Sequence, residues 1–258
     1  MTGHLLVRGM LVGLLAGILA FCFASIFGEP QIDRAIAFEE QMSAMHTEAH
    51  GDAGGHGHGH GHEEELVSRE VQSTVGLLTG ILVYSVSLGG IFALVFSYAL
   101  GRVGSVGPRG LAALLALAAF VAVILVPGLK YPANPPSVGD PDTIGLRTKL
   151  FFLMLLVSVS AMVIAINAAR KLIASRGIWS GALLAVLLYL VIVSVAGSLF
   201  PTINEVPESF SAVLLWKFRV ASLGIQVVLW TTIGLGFGWL AERKLQPVNT
   251  LSRARLHS

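Results

Sequence analysis

Four histidines alternate with glycine at His56, His58, His60 and His62, and Glu63, Glu64 and Glu65 follow at once. His46 and His50 stand one helical turn apart just upstream. Neutral imidazole is the commonest metal ligand, and a pKa of about 6.5 leaves it available at neutral pH. The intervening glycines let the backbone wrap around an ion. Imidazole suits Zn, Cu, Ni, Co or Fe, and affinity order does not choose among them; carboxylates alone would have suited Mg or Ca. A Gly/His repeat is low in complexity and binds in many registers, so it reads as capture or buffering rather than as a defined site.

A second set of candidates lies where apolar segments end. Glu29 follows the first apolar run, Asp140 and Asp142 close a proline-rich loop, and Asn204-Glu205 follow the fifth run. Their carboxylate and amide oxygens are suited to replace part of a dication's hydration shell. Lys217 and Arg219 are expected to snorkel or to pair with Glu205 or Glu208. Inside the runs polar residues are few: His4 and Arg8, Asn167, and Gln226. Polar residues at membrane depth face a bundle interior, so these are the candidates for a path. There is no P-loop pattern, no His-Glu-x-x-His pattern and no nucleophile elbow. No enzymatic activity, prosthetic group or nucleic-acid partner is therefore expected.

The elements that must position these residues are hydrophobic. The 258 residues are 54% hydrophobic and 12% charged, with mean hydropathy +0.77. A soluble domain carries about 25% charged residues. A membrane-spanning helix needs about 20 apolar residues. Six stretches qualify, near 5–27, 75–100, 110–129, 150–169, 178–200 and 220–240. They are continuously apolar, where barrel strands would alternate. The expected fold is an all-α polytopic bundle, a single membrane domain over 1–258. A disordered His-rich loop, 28–74, is inserted between spans one and two. Within that loop, 30–45 has the spacing of a short amphipathic helix lying at the membrane surface. Glu29-Pro30, Gly107-Pro108 and the prolines at 132, 135, 136, 141, 201 and 207 read as breaks between helices.

Gly9, Gly13 and Gly17, and again Gly76 and Gly80, have the four-residue spacing that lets helices approach closely in lipid. The single cysteine, Cys22, lies in an apolar run and reads as a small hydrophobe. Lys and Arg collect on the cytoplasmic side of short loops. With the N-terminus inside, Arg8, Arg102, Arg109, Arg170, Lys171, Arg176, Arg243, Lys244, Arg253 and Arg255 fall on that side. Of the 15 acidic residues only Glu242 does. Both termini are thus expected in the cytoplasm, with an acidic, cation-concentrating outer face bearing the His tract.

Three segments carry a family resemblance. One is Glu29-Pro30 with the acidic stretch after it. Another is Lys130-Tyr131-Pro132-Ala133-Asn134-Pro135-Pro136 with Gly139-Asp140-Pro141-Asp142. The third is Leu199-Phe200-Pro201-Thr202-Ile203-Asn204-Glu205-Val206-Pro207, followed by Leu215-Trp216-Lys217-Phe218-Arg219. Together they resemble CbtA, a family of predicted cobalt transporter subunits, over nearly the whole chain. The resemblance implies about five spans against the six counted here. It implies cobalt uptake across the inner membrane, linked to cobalamin synthesis, with a small single-span CbtB-like partner subunit. Cobalt, or nickel or zinc, would be the transported ion rather than a cofactor. The alternative is a non-transporting membrane subunit that senses or delivers metal.

Overall fold

In lipid a backbone must satisfy its own hydrogen bonds, and a continuous apolar run does so only as a helix. The computed structural model describes residues 2–49, 68–103, 106–136, 138–139 and 141–255, and among them there are helices and no strand. They are α1 (Thr2–Phe23), α2 (Glu29–Ala49), α3 (Arg69–Val71), α4 (Leu77–Ala99), α5 (Pro108–Ala119), α6 (Val126–Lys130), α7 (Pro141–Arg176), α8 (Ile178–Leu199) and α9 (Ala212–Arg255). Wider π turns at Ala24–Gly28, Gln72–Gly76 and Phe120–Leu125 join α1 to α2, α3 to α4 and α5 to α6. The result is six helices long and apolar enough to cross a membrane: Thr2–Met42, Arg69–Ala99, Pro108–Lys130, Asp142–Arg176, Ile178–Leu199 and Ala212–Leu245. The chain is a multi-pass membrane protein.

The expected break at Glu29-Pro30 does not occur. A proline has no N–H to give the carbonyl four residues back, and its ring collides with that carbonyl. Here the π turn widens the helix just before the proline, and the Glu29 N–H reaches back to the Ala24 carbonyl. The same solution recurs at Pro127, where the Val126 N–H bonds the Val121 carbonyl. Span one therefore runs straight on as α2. The segment 28–74, expected as a loop, leaves and re-enters the membrane as helix; the tract between, 50–67, lies outside the described residues.

The glycine pattern is half right. A Cβ on Gly13 would meet the Ser85 carbonyl and the Val86 Cα, and Gly9 lies equally close to Gly89. Span one thus packs backbone to backbone on α4. Gly80 has nothing within 4 Å of its Cβ direction, and Gly76 meets only its own helix. The partners of span one's glycines are Ser85 and Gly89 instead.

Two cores result. Spans one, two, three and six close around Phe96, Leu229, Ile233 and Phe237, with Phe237 edge-on to Phe92 and Phe96 at 5.4 and 5.0 Å. Helices α7 and α8 form a hairpin through Gly177, whose φ of 83° is a conformation that favours glycine. The hairpin packs Met154, Tyr189 and Val193 against Tyr131 and the C-terminal half of span three. A cleft separates it from α9.

A candidate metal-handling mouth at the acid-rich end

Three segments of separate sequence meet at one end of the bundle. Buried Ala35 and half-buried Phe38 of α2 pack on Val138 from the loop after span three and on Val206 and Phe210 from the loop after span five. The Phe38 and Phe210 rings meet edge to face at 5.2 Å. Helix α2 buries one stripe because Ile32, Ala35 and Phe38 recur at three-residue intervals, while Asp33, Glu39 and Glu40 stay exposed.

On α2, Glu29 and Asp33 are four residues apart and face the same way. Arg69, at the start of span two, binds both: its Nη2 donates to Glu29 Oε2, and to Asp33 Oδ1 at 3.0 Å. Glu29 is largely buried and Asp33 is exposed. One guanidinium between two carboxylates leaves a net charge of −1. Arg69 Nε is buried with no partner among the described residues.

Glu205 is more enclosed than Glu29, its side chain 2% exposed against 12%. Both of its oxygens are engaged. Thr143 Oγ1 donates to Oε1 at 2.6 Å, and Arg147 Nη1 donates to Oε2 at 3.0 Å. Arg147 Nη2 also donates to the Pro132 carbonyl at 2.5 Å. Arg219 does not pair with Glu205 or Glu208, as the sequence led us to expect. It donates to the Ala133 carbonyl at 3.1 Å and to Asn134 Oδ1 at 3.0 Å. Lys217 is exposed. Tyr131 donates its hydroxyl to the Pro201 carbonyl at 2.9 Å, and burial pushes that phenol's pKa up. The distinctive Tyr131–Asn134 segment thus has a physical role. Pro132 within it and Pro135 just after it hold the chain extended, which frees its carbonyls as acceptors for two arginines.

The described residues include some of the candidates. Glu29 and Glu205 lie in the two ion pairs. Asn204 is exposed and accepts the Val206 N–H at 3.4 Å, a local turn. Asp142 is exposed in the first turn of α7. His46 lies on α2. Asp140, His50, His56, His58, His60 and His62 lie outside the described residues. Among the described residues no three His, Cys, Asp or Glu side chains gather as a metal site. Of the path candidates, Arg8 donates to the Leu240 carbonyl at 2.8 Å, and Asn167 bonds back to Val163 of its own helix at 2.9 Å. Gln226 keeps a buried Oε1 with no partner among the described residues.

Sequence reasoning missed Arg69, Arg147, Thr143 and Asp33. The signal was present for the arginines: each opens an apolar helix at the end where the acids lie, and a cation there needs a counter-charge. Asp33 was visible as the residue one turn beyond Glu29.

Among known proteins, the family model described as probable cobalt transporter subunit (CbtA) matches residues 2–242. No curated protein matches the chain. No solved structure matches it either.

Proposed function

Because the chain belongs to the family of probable cobalt transporter subunits, CbtA, we propose that it is the membrane-spanning component of a cobalt importer. It takes Co²⁺, with nickel or zinc as its closest competitors, across the cytoplasmic membrane and supplies cobalamin synthesis. A small single-span subunit of the CbtB kind is its partner. The acid-rich end faces outward and both termini face the cytoplasm, a reading supported by the distribution of Lys and Arg.

The observation that carries this reading is the Glu29–Asp33–Arg69 cluster. Two carboxylates one helical turn apart are a cation-binding pair, and the Arg69 guanidinium is the cation that lies between them. An incoming dication exchanges with the guanidinium, and the net charge of −1 favours its arrival. The His tract is covalently placed to feed this exchange. It joins the tip of α2, 21 residues long and so about 30 Å away, back to Arg69 beside Glu29. We assign His46, His50, His56, His58, His60 and His62 to capture, and exposed Asp142 to the surrounding negative field. Glu205 and Asn204 hold the loops in place. One charge gains about 2.3 kcal/mol per 100 mV on moving inward, so a dication gains about twice that. The membrane potential is a sufficient driving force.

The test is metal accumulation by cells expressing the full chain with its partner, against Glu29→Gln/Asp33→Asn. Cobalt uptake at limiting cobalt is expected to fall sharply in the double variant. Unchanged accumulation of every divalent metal upon expression overturns the importer. A second reading, a subunit that senses or delivers metal without transporting it, is favoured by the apolar packing of the main core. It wins if deletion of 46–62 abolishes function while the Glu29 and Asp33 variants are tolerated.

A further inference from the structure

The cleft between the α7–α8 hairpin and α9 has a chemistry of its own. It encloses about 720 Å³ and is floored by the π turn of span three. Its long walls are apolar, with Leu129, Phe151, Val220 and Leu223 among them. At the acid-rich end it is headed by Arg147 and Arg219, and no acidic side chain among the described residues lines it. A guanidinium has five N–H donors. Arg147 spends two on Glu205 and Pro132, and Arg219 spends two on Ala133 and Asn134. Glu205 offsets one of the two positive charges. Among the described residues the second meets only a carbonyl and an amide, so the head of the cleft carries a cation without a counter-charge, which is costly beside the apolar membrane interior.

Deeper along α9, Ser222 and Gln226 continue the line from Arg219 at helical spacing. Gln226 also carries a buried Oε1 with no partner among the described residues. Trp216 stands at the mouth, 69% exposed, the place where tryptophan sits at a membrane–water interface. From head to floor the order is cationic, polar, apolar.

We propose that this cleft holds one anionic phospholipid from the leaflet at the acid-rich end. Its phosphate sits on Arg147 and Arg219, its ester groups lie level with Ser222 and Gln226, and an acyl chain runs along the floor. The charge decides the occupant. A lipid with net charge −1 neutralises the second guanidinium, whereas an apolar helix of another protein would bury it unpaired. A free anion would leave the apolar length of the cleft unfilled. The inference is independent of the transported ion.

The test is native mass spectrometry of the full chain in detergent, titrated separately with dioleoylphosphatidylglycerol, dioleoylphosphatidylcholine and inorganic phosphate. Arg219→Gln removes the uncompensated charge. Gly128→Phe fills the cleft, since a Cβ at Gly128 meets nothing within 4 Å. Leu223→Trp, from the opposite wall, fills it independently, and thermal unfolding confirms that the variants are folded. Phosphatidylglycerol is expected to bind about tenfold more tightly than phosphatidylcholine. Each variant should weaken it about tenfold or more, the scale of a lost charged hydrogen bond. Equal binding of the two lipids overturns the proposal, and so does undiminished binding to both filled-cleft variants. Saturation by inorganic phosphate, or a polypeptide rather than a lipid trapped by a photo-crosslinker at position 128, overturns it as well.

Discussion

Removal of the Glu205 carboxylate should damage the fold before it touches any ion. The side chain is 2% exposed, and its partner Arg147 is 21% exposed. Loss of one member of a buried, hydrogen-bonded pair costs about 3–5 kcal/mol, because the surviving charge is stranded. In Glu205→Ala, Arg147 keeps the Pro132 carbonyl but loses its counter-charge, and Thr143 loses its acceptor. Replacing both partners by apolar groups is often close to neutral. Glu205→Ala/Arg147→Met should therefore recover most of the loss. Tryptophan fluorescence during thermal unfolding in detergent reads the effect. At about 2–4 °C per kcal/mol for a chain of this size, the single variant should fall by on the order of 10 °C. Cobalt uptake should follow folding, lost in the single variant and largely regained in the double. A Glu205→Ala protein that melts within about 2 °C of the parent, less than 1 kcal/mol on that scale, would refute the stranded-charge argument. Restored folding without restored uptake would return Glu205 to the list of metal ligands.

Further expectations concern packing, the motif loop and the His tract. Gly13→Leu should destabilise the bundle by about 1–3 kcal/mol or more, because its side chain must part α1 from α4. Gly80→Ala, with open space around it, should be neutral or stabilising by up to about 1 kcal/mol; equal losses at the two sites in the same unfolding assay would contradict the packing described. Tyr131→Phe removes the bond to the Pro201 carbonyl and should cost about 1 kcal/mol. Faster proteolysis within 200–211 would register the loosened loop, and an unchanged cleavage rate would argue against the tie. Deletion of 50–62 should raise the cobalt concentration needed for half-maximal uptake and leave the maximal rate intact; a fall in the maximal rate would mean the tract is part of the route.

The comparison of pattern with fold divides along physical lines. Length and continuous apolarity settle the six spans, since lipid leaves a chain no other way to satisfy its backbone. Four-residue glycine spacing was enough to mark the packing face of span one, yet not its partner. The face of α4 is chosen by where Ser85 and Gly89 fall opposite it, and Gly76 and Gly80 had the same local spacing. Pro30 is ambiguous for a similar reason. Local rules make it a stop, and only a π turn, stabilised by the packing of Gly28 against Ile225 and of α2 on the two loops, carries the helix through.

At this end of the bundle, residue type and position in sequence drew attention to Glu29, Asp142 and Glu205, acids at the ends of apolar helices. They were insufficient to assign partners. A carboxylate reads the same in sequence whether it is open to a metal or closed by an arginine. Arg69 lies 40 residues from Glu29, and Arg147 lies 58 from Glu205. Such distances are bridged only when the helices have docked. The histidine tract stands at the other extreme: its proposed metal capture is read from composition alone, and the described residues that flank it are the end of α2 and the start of the helix that holds Arg69.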